Sequence, residues 1–493
     1  MASKPNILYF VADQMRADAQ HYLGNPAAIT PNFDAFAGEG VAFQNAYCQN
    51  PVCVPSRCSF LSGLYPHTTG HRTMHFLQNA DEPNILRTMK EAGYEVIWIG
   101  RNDVVPGTRP KTAYCDEYYD GINPDNQRDA CIDVMKSGSM GHGTAGGSMP
   151  DWDPDMYSFY IGEMPAGTYG RADEGCVEAC LRYLDRRAAE GSDKPFFVYC
   201  TLMFPHPPYG CNRPWYGSTD RNALPPRIPR REDSPAMLSE TVRKMDLDPR
   251  WPEERWNELR ATYLDMTSKL DSQFGQVVAK LKETGVYDDT SVFVFSDHGD
   301  YTGDYGLVEK VQNCFEDCLT NIPLIVKPAK GIEYKPRITP ALVELNDLCA
   351  TIADMCDIDL GYVQYGTSLL PVLAGDDAGK DAVFSEGGRG FGDRPSMELG
   401  HDDPHDMYWP RISTQHEEGP NHTRATMIRM GNLKYTMRLY ERDTLYDLDL
   451  DPHEQVNRID DPAYAEKVAE MRERLLTWYQ ETADWVPNRK DMR

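Results

Sequence analysis

The sequence predicts an α/β fold: a large, mostly parallel sheet flanked by helices, followed by a smaller C-terminal α+β subdomain built on a short antiparallel sheet. Three observations carry that expectation. Residues 6–12 form a continuous apolar run from Ile7, and 290–296 reads as another buried strand around Val292–Phe295, the pattern of strands buried on both faces. Helical segments separate such runs through most of the chain. Beyond about residue 375 the pattern changes to short strands with polar flanks.

The elements follow in order. The first strand, 6–12, runs into Asp13. Thr30-Pro31-Asn32 opens a short helix, with Thr30 as its cap and Pro31 suited to the first turn. A strand is expected at 41–46, a helix at 84–92 ended by Gly93, and a strand at 95–100. The helix 172–188 leads into the strand 196–202. A long helix covers about 252–284, followed by the strands 290–296 and 322–326 and the helix 345–355. Short strands at 427–430, 434–438 and 445–447 precede a final helix at 463–484. Two domains result, 1–375 and 376–493, without an internal repeat. Two long segments, 104–169 and 387–423, lack a period. Loops of that length are usually functional or disordered. The second holds four of the twelve histidines, read as exposed loop residues ahead of a metal site.

Composition bounds the function. The 493 residues are 41% apolar and 26% charged, ordinary for a globular protein able to bury a full core. Fifty basic against 76 acidic residues give a net charge of −26, which argues against global attraction to nucleic acid or anionic lipid. No run of about 18 apolar residues predicts a membrane span. The apolar run near the N-terminus is too short for a signal peptide, so a cytoplasmic location is expected. Thirteen scattered cysteines suit a reducing compartment better than a disulfide framework. Cys176/Cys180 and Cys314/Cys318, each at i,i+4 spacing, read as helix positions, not zinc ligands.

Open α/β sheets place ligands at the carboxyl ends of their strands. Two strands end there in Asp13-Gln14 and Asp297-His298. If these strands are neighbours, three oxygen donors and an imidazole converge and can hold a divalent cation. Singly, each also reads as a solvated strand-end residue. Cys53 precedes a helix expected near Pro55, where the helix N-terminus and Arg57 would favour an activated thiolate.

Cys53-Val54-Pro55-Ser56-Arg57 with Leu61-Ser62-Gly63 resembles the sulfatase signature, and the chain is identified on it as a formylglycine-dependent type I sulfatase of the alkaline phosphatase superfamily. Further segments resemble that family in order: 5–13, Phe204-Pro205-His206, Ser296-Asp297-His298-Gly299, 303–310, and Leu445-Tyr446-Asp447-Leu448. The resemblance implies an alkaline phosphatase-like fold, with 1–375 the catalytic sulfatase domain. It implies that Cys53 is oxidised to formylglycine by a maturation enzyme. The hydrated aldehyde attacks sulfur, the alcohol leaves, and the aldehyde re-forms as sulfate is released. It implies one divalent cation, Ca²⁺ ahead of Mn²⁺ or Mg²⁺, on Asp13, Gln14, Asp297, His298 and residue 53. Arg57, Arg101 and Lys310 would neutralise sulfate oxygens, and His206 would protonate the leaving alcohol. The substrate would be a small sugar, aryl or alkyl sulfate.

Three positions depart from the common pattern: Gln14 for a second aspartate, Arg101-Asn102-Asp103 for Lys-any-His, and Tyr305 for a histidine. The Asp-Gln and Asp-His pairs also occur in choline sulfatases and phosphonate monoester hydrolases. A phosphonate monoester or phosphodiester hydrolase is therefore one alternative. A non-catalytic anion-binding protein with an unconverted Cys53 is another. His67, His71, Arg72 and His75 read equally as pocket or surface residues.

Overall fold

The structure, a computed structural model, describes residues 4–119, 154–164, 171–417, 419 and 421–486. The expectation for 104–169 therefore lies largely outside the described residues. Fourteen strands are described: β1 Asn6–Asp13, β2 Val41–Tyr47, β3 Glu95–Gly100, β4 Glu117–Tyr119, β5 Tyr160–Met164, β6 Phe196–Pro205, β7 Tyr209–Asn212, β8 Thr290–Ser296, β9 Asn321–Lys327, β10 Arg337–Glu344, β11 Val383–Gly387, β12 Ala425–Met430, β13 Leu433–Arg438 and β14 Thr444–Asp447.

Eight of them form one sheet in the order β10-β2-β9-β8-β1-β6-β3-β4. Every neighbouring pair is parallel except those made by β9, which runs antiparallel to both β2 and β8. The alternation along β1 shows why the run is wholly apolar. Leu8, Phe10 and Ala12 enter one core, while Ile7, Tyr9 and Val11 enter the core on the opposite face. The long helix Glu253–Glu283 and the helix Pro31–Glu39 cover the first face. Their packing centres on Phe274, whose ring lies 5.0–5.3 Å from those of Phe10, Phe33 and Phe36. The helices Cys53–Ser62, Ile85–Glu91 and Asp347–Cys356 cover the second face.

β11 to β14 form an antiparallel sheet packed by the helix Ala465–Glu481, where Trp478 stacks on Phe384 at 4.5 Å. This sheet holds the chain just before Cys53. Ser385 Oγ donates to Cys48 O at 2.7 Å, and Asn50 Nδ2 donates to Glu386 O at 2.7 Å.

Several expectations are corrected. Thr30 stands at the N-cap of its helix, but its side chain makes no capping bond; its hydroxyl donates to the Asp34 carboxylate and accepts from the His21 amide. Cys176 and Cys180 lie on the helix Arg171–Glu190, but Cys314 lies in a buried loop and only Cys318 is helical. The 387–423 segment is not a plain exposed loop. It contains the helix Trp409–His416, and His422 is buried. β10 and β11 escape sequence reading: Pro340 interrupts the first, and the second is only five residues long. All twelve cysteines of the described residues are free and buried.

Candidate active site

β1 and β8 are parallel neighbours in a register that pairs Ala12 with Ser296, so Asp13 and Asp297 emerge side by side. Cys53 opens the helix Cys53–Ser62 directly above them. Donor atoms of Asp13, Cys53, Asp297 and His298 all lie within 4.8 Å of one another, and all four residues are fully buried. His298 Nδ1 faces the Gly299 carbonyl at 2.9 Å and therefore carries the proton, which turns the Nε2 lone pair toward Cys53 Sγ at 3.1 Å. Two carboxylates and a neutral imidazole are a fitting donor set for a divalent cation.

The expected activated thiolate is not what the environment favours. Burial pushes the Cys53 thiol well above its ordinary value, and Asp13 pushes it further in that direction. A thiol set among metal-type donors is poorly placed to act as a thiolate nucleophile.

Arg57 is expected to reach a sulfate oxygen, but its contacts lie elsewhere. It is wholly buried; its Nε donates to Asp297 Oδ2 at 2.9 Å and its Nη2 to Asp13 Oδ2 at 3.0 Å. It clamps the two carboxylates from behind, so that they can share a small volume without repelling each other apart. Burial opposes the ionisation of Asp13, but the guanidinium charges of Arg101 and Arg57 hold it well below the usual carboxylate range.

Arg101 follows Gly100, whose φ of +90° and 1.9 Å approach to the Thr201 carbonyl at the Cβ position exclude any other residue. Its Nη1 lies 3.1 Å from Asp13 Oδ2, and its Nε pairs with Asp103. Asp103, at the position where a histidine is common, thus fixes the guanidinium instead of supplying a proton.

Gln14 adopts a left-handed φ of +69°, a conformation that a non-glycine residue holds only under constraint. The constraint is visible. Its Nε2 donates to Asp300 Oδ2 at 2.6 Å and its Oε1 accepts from Lys310 Nζ at 2.9 Å. Asp300 is itself held by the Tyr209 hydroxyl at 2.7 Å. Gln14 Oε1 therefore meets Lys310 in this arrangement, with one lone pair left for a cation.

Lys310 Nζ also reaches His206 Nε2 at 3.1 Å and pairs with Glu309. His206 Nδ1 lies 2.5 Å from the Pro207 carbonyl. Burial, then the charge of Lys310, push the histidine down to about 3. Despite burial, Glu309 is held at about 2 by Arg411 and Lys310. The imidazole is thus the neutral partner, and Lys310 carries the proton between them.

A cavity of about 190 Å³ opens over Arg101, His206 and Lys310. His75 lines it, as do Glu398, His401, Tyr408 and Arg411 from the 387–423 segment. Sequence reading missed these four, together with Glu309 and Asp300. The usable signal was the Trp409-Pro410 helix start inside a long segment rich in histidine. His67, His71 and Arg72 do not line this cavity: His67 and Arg72 bind Glu386, and His71 binds Glu82. Tyr305 also stands apart, its hydroxyl donating to the His453 carbonyl at 2.9 Å.

A buried carboxylate and imidazole cluster, ringed by cations at the carboxyl ends of parallel strands, is a site able to hold a divalent cation and receive an anion. The family model described as Sulfatase matches residues 5–358, and the chain belongs to the sulfatase family. It is 26% identical over 527 aligned residues to the multifunctional alkaline phosphatase superfamily protein PehA of Trinickia caryophylli, covering 98% of this chain and 96% of that protein. It is 25% identical over 480 residues to the choline-sulfatase of Rhizobium meliloti, covering 93% and 83%. The crystal structure of the phosphonate monoester hydrolase of Agrobacterium radiobacter shares the fold, with a TM-score of 0.75 at 22% identity and coverage of 97% and 96%.

Proposed function

We propose that this hydrolase cleaves a sulfate monoester to an alcohol and inorganic sulfate, with residue 53 as nucleophile after a maturation enzyme converts the cysteine to formylglycine. The observation that carries the reading is the place of Cys53, on the first turn of a buried helix and 3.1 Å from His298 Nε2, inside the donor cluster with Asp13 and Asp297. A thiol held in its neutral form there is a weak nucleophile, whereas an oxygen nucleophile at that point would stand within the electrostatic reach of Lys310 and Arg101. Asp13, Asp297 and His298, with Gln14 and residue 53, would hold one divalent cation, Ca²⁺ by the family resemblance, which when bound supplies positive charge for the nucleophile and the sulfate oxygens.

The chain's own groups do the rest. Arg57 holds the two aspartates together. Arg101 and Lys310 present N–H donors to the sulfate and orient it for in-line attack. As the ester S–O bond breaks, the Lys310–His206 pair delivers a proton to the alcohol oxygen. Domain 1–375 supplies the nucleophile and the donor cluster, and 376–493 supplies one wall of the cavity.

The test is turnover of matched 4-nitrophenyl esters by protein co-produced with a formylglycine-generating enzyme. The sulfate should be cleaved with the higher kcat/KM. A faster phosphonate monoester would assign the site to phosphonate hydrolysis instead, a reading that Gln14 also supports. No turnover of either ester by fully converted protein would leave only anion binding.

A further inference from the structure

Arg411 is 6% exposed and lines the same cavity as Arg101, His206 and Lys310. Its Nη2 pairs with Glu398 at 3.1 Å. Its Nε and Nη1 make no hydrogen bond with any of the described residues, although Glu309 Oε2 stands 3.6 Å from Nη1. A guanidinium has five N–H donors and no acceptor, so several buried donors are left without an oxygen. Leaving buried charged donors unmade is costly, and a structure that keeps them so is prepared for an acceptor that arrives later.

The carboxylates in reach are already engaged. Glu309 binds Lys310. Glu398 accepts from Gln312 at 2.9 Å and from Gln415 at 3.1 Å. Tyr408 lies under the guanidinium, its ring centroid 5.6 Å from Cζ, and limits how the fork can turn.

We infer that Arg411 receives an anionic group on the alcohol part of the substrate, so that the preferred substrate is a small sulfate ester carrying a second negative charge such as a carboxylate. The inference rests on the sulfate-ester reading above. Arg101 and Lys310 serve the sulfate; Arg411 is the remaining arginine or lysine among the described lining residues. Glu398 is the one carboxylate among the described lining residues, and its engagement with Arg411 and two glutamines leaves nothing to attract a cationic alcohol. An anionic oxygen on a guanidinium makes the strong, charge-assisted class of hydrogen bond, which a neutral amide cannot match.

Binding of non-hydrolysable sulfonates separates this claim from turnover. Calorimetry would compare 3- and 4-carboxybenzenesulfonate with the corresponding carboxamides and with 4-(trimethylammonio)benzenesulfonate. At least one carboxylate isomer should bind about tenfold or more tightly than its carboxamide, with the ammonium compound weakest. In Arg411→Gln that ratio should fall to near one, with circular dichroism reporting the fold. If Arg411→Gln does not fold, the series on the unaltered protein decides alone. Equal binding of carboxylates and carboxamides, preference for the ammonium compound, or no binding by any of them overturns the inference. Turnover of 4-nitrophenyl sulfate on the same preparation tests the sulfatase reading separately.

Discussion

Lys310 Nζ lies 3.1 Å from His206 Nε2, while His206 Nδ1 faces the Pro207 carbonyl at 2.5 Å. The ring therefore accepts from the lysine, and burial followed by the Lys310 charge pushes it down to about 3. His206→Ala should lower kcat/KM by about 10²–10⁴ on an alkyl sulfate, where the leaving oxygen needs a proton. The loss on 4-nitrophenyl sulfate should be much smaller, because a nitrophenolate leaves unaided. Equal losses on both esters would make His206 a positioning residue.

Asp103 acts through Arg101. The Asp103–Arg101 pair fixes the guanidinium whose Nη1 reaches Asp13 at 3.1 Å. Asp103→Ala should raise KM for the sulfate ester by about tenfold and leave kcat less changed. A fall in kcat at unchanged KM would instead place Asp103 in the chemical step.

One equivalent of divalent metal should be found by elemental analysis of purified protein. Asp297→Asn should reduce metal content as well as activity, because it removes a ligand charge and leaves Arg57 with a weaker partner at 2.9 Å. Full activity in strong chelator with no metal detected would contradict the assignment of this cluster.

Glu386 ties the C-terminal sheet to the segment after the Cys53 helix. It is buried between His67 at 2.7 Å and Arg72 at 3.1 Å. Burial opposes its charge, but these partners hold it at about 2 against an ordinary 4.5. A depressed carboxylate stabilises the fold fully above its unfolded value and loses that contribution as pH falls toward the folded one. The contribution at pH 7 is on the order of 3 kcal/mol. Glu386→Gln should therefore melt below the unaltered protein at pH 7, and the gap should close between about pH 4.5 and pH 2. A gap independent of pH would show that packing alone sets the difference.

What the sequence made legible follows period and chain order. β1 and β8 read as apolar runs ending in carboxylates, and their parallel pairing brings Asp13 and Asp297 together as expected. The signature placed Cys53 and Arg57 in the site but not the direction of the guanidinium, which a side chain's neighbours decide. The reversal of β9 between β2 and β8 left no trace, since a strand buried on both faces looks the same in either direction. Arg411 and Glu398 were illegible because a 37-residue stretch without a clear period gives no register from which to place them. Cys314 kept helical spacing to Cys318 by coincidence; the chain there follows buried side-chain hydrogen bonds, including that of Tyr301 with Glu316 at 2.7 Å.

The central claim is that residue 53, converted to formylglycine, is the nucleophile of a sulfate-ester hydrolase. The most direct measurement is sulfate release from 4-nitrophenyl sulfate by two preparations co-produced with a formylglycine-generating enzyme, the unaltered chain and Cys53→Ala, with peptide mass spectrometry reporting the fraction of residue 53 present as aldehyde. The account predicts that the rate scales with the aldehyde fraction and is abolished in the alanine variant, whose circular dichroism stays unchanged. Undiminished sulfate release from Cys53→Ala, or equal rates from converted and unconverted protein, would contradict it.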